Sequence, residues 1–142
     1  MELEHKTTLS AREDMALTGV TDMAVVQSSG GAVLYTTSRF GGGDLLAYRI
    51  DAEGGLRFLD SRAIAGDTRA GVTNRLEVID GALLLTGADN AALTRVALTN
   101  DGRFGNVSAV TGGAVPAQLL AVETLDLGGQ SYLYGMVRGA DS

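Results

Sequence analysis

Gly31-Ala-Val-Leu-Tyr-Thr36 returns along the chain as Gly81-Ala-Leu-Leu-Leu-Thr86 and, more loosely, as Gly129-Gln-Ser-Tyr-Leu-Tyr134. The leading glycines stand 50 and then 48 residues apart. A second anchor gives the same spacing. Leu46-Ala-Tyr-Arg-Ile-Asp-Ala-Glu-Gly-Gly-Leu56 aligns with Thr94-Arg-Val-Ala-Leu-Thr-Asn-Asp-Gly-Arg-Phe104, and the shared glycine recurs after 48 residues, at 54 and 102. Two anchors with one period indicate an internal repeat, which sets the architecture before any motif is considered.

Within one period the residues read as four short strands. Met23 to Gln27 is apolar, Ser28-Ser-Gly-Gly31 is a turn, and Ala32 to Ser38 carries the Val, Leu, Tyr and Thr that suit a pleated surface. Leu46, Tyr48 and Ile50 alternate with Ala47 and Arg49, Asp51 to Gly55 supplies a hairpin, and Leu56 to Ala63 is the fourth strand. The second period repeats the plan with Leu76 to Ile79, Ala82 to Thr86, Leu93 to Leu98 and Phe104 to Val110. A third starts at Val122 to Asp126 and continues through Ser131 to Arg138 before the chain stops at Ser142.

Four strands per period of about 40–50 residues is the signature of a propeller blade. A β-sandwich also has short strands at regular spacing, but it does not need them to recur in sets of four. The expected fold is therefore all-β, with about 2.5 to 3 four-stranded antiparallel β-propeller blades in an incomplete ring. The organisation expected is an N-terminal strand or loop segment over 1–20, blade units over 21–66 and 67–113, and a partial unit over 114–142.

Such a set leaves sheet faces and edges that a closed ring would cover. The expected partners are the remaining blades of a longer chain or a second copy of this one. Leu3 to Leu9 is a candidate strand that could complete the last unit, in which case two copies would close about six blades.

Composition removes several function classes. Seventeen Asp plus Glu against eleven Lys plus Arg give a net charge of −6, which phosphate backbones and anionic lipid surfaces would repel. Nucleic acid is not an expected partner. The first residues lack a basic start with an apolar run, and no stretch reaches the roughly 18 apolar residues of a membrane span. Without cysteine there is no thiolate site or nucleophilic thiol, and the lone His5 supplies neither a metal cluster nor a triad within the chain. His5 reads as an exposed terminal residue. No metal or other cofactor is expected. Asn106-Val-Ser108 satisfies a glycosylation sequon inside an expected strand.

The stretch Asp44-Leu-Leu-Ala-Tyr-Arg-Ile-Asp-Ala-Glu-Gly-Gly-Leu56 resembles the blade motif of lactonase-type propellers, the 6-phosphogluconolactonase-like family. With Thr18-Gly-Val-Thr-Asp-Met-Ala24, Leu34-Tyr35 and Ser38-Arg39, it is also similar to N-terminal regions of bacterial secreted hemolysin-type calcium-binding proteins. That resemblance implies a secreted or surface-associated protein. The tandem glycine-rich nonapeptides that bind calcium in such proteins are absent, so no calcium site is carried over.

The fold resemblance further implies that loops between the second and third strands, and between blades, share one ligand-binding rim. Arg39, Asp44, Asp89, Asn90, Arg138 and Asp141 would lie on it, joined by Asp67, Arg69 and Asn74. Arg at such positions suits a small anionic ligand and Asp a cation or a sugar hydroxyl. Equally, the rim residues may be read as pairing with one another at the surface, for about 0–1 kcal/mol per pair. Tyr35, Tyr48 and Tyr134 fall within apolar strands and are expected to pack between blades. The resulting expectation is a non-catalytic scaffold or interaction module. The competing classes are a sugar-lactone hydrolase, whose central channel would gather carboxylates on one point, and an oligomeric sugar-binding propeller.

Overall fold

Ten antiparallel strands form three separate sheets in the computed structural model, which describes residues 4–8, 19–38, 45–64, 73–87, 93–110 and 119–137. The first sheet is β1 (Val20–Ser28), β2 (Gly31–Ser38), β3 (Leu45–Ile50) and β4 (Leu56–Arg62), in that spatial order. The second repeats the meander with β5 (Thr73–Ile79), β6 (Ala82–Gly87), β7 (Leu93–Leu98) and β8 (Phe104–Ala109). The third contains β9 (Leu119–Leu127) and β10 (Gln130–Val137). The described residues include no helix, and the sheets do not close on one another.

The turns follow from their residues. Asp80 and Gly81 adopt φ of +47° and +66°, the paired left-handed geometry of a two-residue hairpin whose twist matches the flanking strands. The first hairpin is built differently. Its turn residues are Ser29 and Gly30, and Gly31 is already paired with Ser28. The sequence match of Gly31 with Gly81 is therefore one residue out of step: Gly81 lies inside its turn, whereas Gly31 opens a strand.

The two longer hairpins share one bonding pattern. The Gly54 N–H donates to Asp51 O and the Asp51 N–H to Gly55 O, both at 3.0 Å. At the hairpin 48 residues on, the Gly102 N–H donates to Thr99 O and the Thr99 N–H to Arg103 O, both at 2.9 Å. A side-chain oxygen braces each loop in the same place. Asp51 Oδ1 accepts from the Gly55 N–H at 2.6 Å, and Thr99 Oγ1 from the Arg103 N–H at 2.9 Å.

Stacking follows from strand alternation. Val33 and Tyr35 on β2, with Ala47 on β3 and Ala24 and Val26 on β1, project from one face of the first sheet. They meet Leu76, Leu83, Leu85 and Val96 of the second sheet in one core cluster, with Phe104 packed at its margin. Burying each such Val or Leu stabilises the fold by about 1.5–3 kcal/mol, an upper bound because the unfolded chain is already partly collapsed. The second junction is smaller: Leu93 and Val122 are its buried pair, with Val110 against them.

The inner strands run side by side, β1 against β5 and β5 against β9. Main-chain groups join the first two sheets at both edges. The Leu76 N–H donates to Asp22 Oδ2 at 3.0 Å, and the Phe104 N–H donates to Asp60 Oδ2 at the same distance. Residues 4–8 form no strand, contrary to the expectation for Leu3 to Leu9. Instead the Lys6 methylenes lie over Gly54, so this segment rests on the first sheet.

Candidate functional site

The most elaborated polar region lies where the β1–β2 turn meets the β7–β8 hairpin. Tyr35 is fully buried, and its hydroxyl donates to Gly102 O at 2.7 Å. Its ring tilts against Phe104 with centroids 5.7 Å apart. Burial pushes the phenol up to about 12, with Arg49 acting in the opposite direction. Arg49, from β3, donates through Nη1 to Ser28 Oγ at 2.6 Å and Gly31 O at 3.0 Å, and through Nη2 to Asp101 O at 2.5 Å. The Ser29 N–H and hydroxyl both donate to Asn100 O, at 2.9 and 2.8 Å.

Beside this junction is a cleft of about 350 Å³, with Gln27, Ser29, Gly81, Thr99 and Asn100 among its lining residues. Its lining contains hydroxyls, amides and main-chain carbonyls but no charged side chain. The polar contacts bind one sheet to the next. Sequence reading missed Arg49 in this role because an Arg on an alternating strand reads as a solvent-facing residue. The signal was its position opposite the small Ala97 of the next period.

A second feature lies on the inner strands. Burial raises the Glu77 carboxyl above its ordinary value, and Glu123 and then Asp22 add to the effect. These residues come from β5, β9 and β1, so three carboxylates face a common region. Asp22 is committed to main-chain donors, taking the Met23 N–H at 2.9 Å as well as that of Leu76. Among the described residues no group of three or more His, Asp or Glu side chains could hold a metal ion. The sequence analysis did not select these acids, because nothing short of the strand order brings them together.

The third feature is apolar. Leu125 and Leu127 on β9, with Tyr132, Tyr134 and Met136 on β10, are all exposed. Cross-strand pairing of Leu125 with Tyr132 places them on the face away from the second sheet, since Val122 and Thr124 point the other way. Tyr134, expected to pack between sheets, is 55% exposed, because nothing stacks on this face. Tyr35 and Tyr48 are buried as expected, Tyr48 against Phe58.

The rim candidates Arg39, Asp44, Asp89, Asn90, Arg138, Asp141 and Arg69, with Asp67, lie outside the described residues, and of Asn74 only the strand position in β5 is described. His5 is exposed, with Nε2 2.9 Å from Thr8 Oγ1. No helix among the described residues is long and apolar enough to cross a membrane. No protein-family model matches the sequence, and no curated protein or solved structure matches it.

Proposed function

We propose that the chain is a non-catalytic set of propeller-type blades that works as a scaffold, presenting a sheet face for association. The observation that carries this reading is the exposed stripe Leu125, Leu127, Tyr132, Tyr134 and Met136. Contiguous apolar surface of this kind, rich in aromatic and Met side chains, is what association sites expose. The polar groups beside the cleft support the same reading, because their bonds are already made to neighbouring strands. A secreted or surface-associated setting, with a longer chain or another copy as partner, belongs to this proposal.

One observation favours the second reading, hydrolysis of sugar lactones: the approach of Asp22, Glu77 and Glu123 on the inner strands. A carboxylate with a raised value is suited to general-base work near neutral pH. The two readings separate in one assay. Purified protein is tested against a panel of aldonolactones, with and without added divalent cations, beside the Glu77→Gln variant. The scaffold reading expects no turnover above the spontaneous rate. Hydrolysis that Glu77→Gln abolishes would replace it with the enzyme.

A further inference from the structure

We propose that the exposed face of the third sheet receives the first sheet of a second copy of this chain, head to tail, with Tyr134 seated against Gly54 of the other copy. The inference rests on the blade reading, and it adds a partner and a register.

The junction between the first and second sheets supplies the template. There, the third and fifth residues of β2, Val33 and Tyr35, cover Gly102 of the β7–β8 hairpin. A Cβ placed on Gly102 would come within 2.7 Å of Val33 Cγ2 and 3.2 Å of Tyr35 Oη. β10, like β2, begins directly after a two-residue turn, and its third and fifth residues are Tyr132 and Tyr134. Both are exposed on the face that points away from the second sheet. The donor half of the junction is thus present again, without a receiver.

The receiver is also present, without a donor. Gly54 has φ of +84° against +86° at Gly102, within hairpins of the same bonding pattern. On that side of the first sheet Met23, Val25 and Phe58 are exposed, and pairing through Leu34 and Tyr48 puts Val25 and Phe58 on the face opposite Tyr35. The position that Val33 fills over Gly102 is taken at Gly54 by the Lys6 methylenes. Lys6 is half-exposed and tied by a 2.7 Å surface ion pair to Glu4, a contact of the weak class. An incoming sheet can displace it.

Donor and receiver lie on opposite sides of one chain, so the contact is heterologous and its repetition gives rings or open stacks. Its geometry continues the order β1, β5, β9 already set within the chain.

The test combines sedimentation velocity over a wide concentration range with thiol cross-linking, which is clean because the native chain has no cysteine. By the template, Ser29 contacts Asn100, and the matching positions are the β9–β10 turn and Ala52. Two single variants, Leu127→Cys and Ala52→Cys, are oxidised separately and mixed. The proposal expects mass that grows with concentration and a disulfide dimer formed chiefly in the mixture. Tyr134→Phe, which keeps the ring, should weaken association roughly 5–10-fold with unchanged circular dichroism. A monomer at all concentrations overturns the proposal, as it would if the receiver were a further segment of a longer chain. Efficient Leu127→Cys self-cross-linking also overturns it, showing two third sheets face to face. The lactone assay decides the underlying scaffold reading separately.

Discussion

The Tyr35 hydroxyl and the Gly102 carbonyl, 67 residues apart, form a buried hydrogen bond of 2.7 Å that locks the first sheet to the second. Tyr35→Phe keeps the ring against Phe104 but leaves that carbonyl without its donor. The expected cost is about 1–2 kcal/mol, read by urea denaturation. The phenol value near 12 lies above the ordinary 10.0, so the folded state prefers the neutral hydroxyl. Its contribution is present below pH 10 and is lost as pH rises from 10 toward about 12. Alkaline titration of phenolate absorbance in the wild type should show one tyrosine ionising late, and Tyr35→Phe should remove that phase.

Gly102 and Gly54 share a backbone conformation but differ in what surrounds them. An alanine at either position carries about 1–2 kcal/mol of left-handed strain. At 102 the new methyl also meets Val33 at 2.7 Å inside the packed junction, whereas at 54 it meets the end of a flexible lysine. Gly102→Ala should therefore destabilise by roughly 2–4 kcal/mol, clearly more than Gly54→Ala when the two are compared by thermal melting.

Glu77 titrates above its ordinary 4.5 because burial and two neighbouring carboxylates disfavour its charge. The folded protein thus holds this proton more tightly than the unfolded chain. Stability from the group is full below about pH 4.5 and falls as pH rises through the raised value. Glu77→Gln should raise the melting temperature at neutral pH and flatten that part of the stability profile. An unchanged neutral melting temperature would show that the three acids do not share one region.

The hydroxyls of Thr37, Thr86 and Thr94 are buried with no hydrogen-bond partner. Valine has nearly the same shape without the polar atom. Thr94→Val should stabilise the protein by about 1 kcal/mol, measured as a higher denaturant midpoint with unchanged slope.

The strands are legible in the sequence because each obeys a local rule. Leu93 to Leu98 is β7 as read, and Leu46, Tyr48 and Ile50 lie on β3 through their period of two. The Asp80-Gly81 and Gly128-Gly129 turns could be placed because few other residues accept positive φ. The functional contacts are not legible in this way. Arg49 reaches Asp101 and Asp22 reaches Leu76 only after two sheets stack, and no local pattern encodes that approach. Tyr134 was misread for the opposite reason. Its strand has the composition of a covered surface, and composition does not say whether the cover is part of the same chain.

The unequal size of the two junctions bears on how the molecule comes apart. The first two sheets share a broad apolar cluster with main-chain bonds at both edges, while the third is held through Leu93, Val122 and two long hydroxyl contacts of 3.4 and 3.3 Å. The β9–β10 ribbon is therefore the first segment to open, and its amides should exchange with deuterium ahead of those in β2 and β6. A sheet that detaches easily can also be handed over, so the weakest joint in the chain is where exchange between molecules would begin.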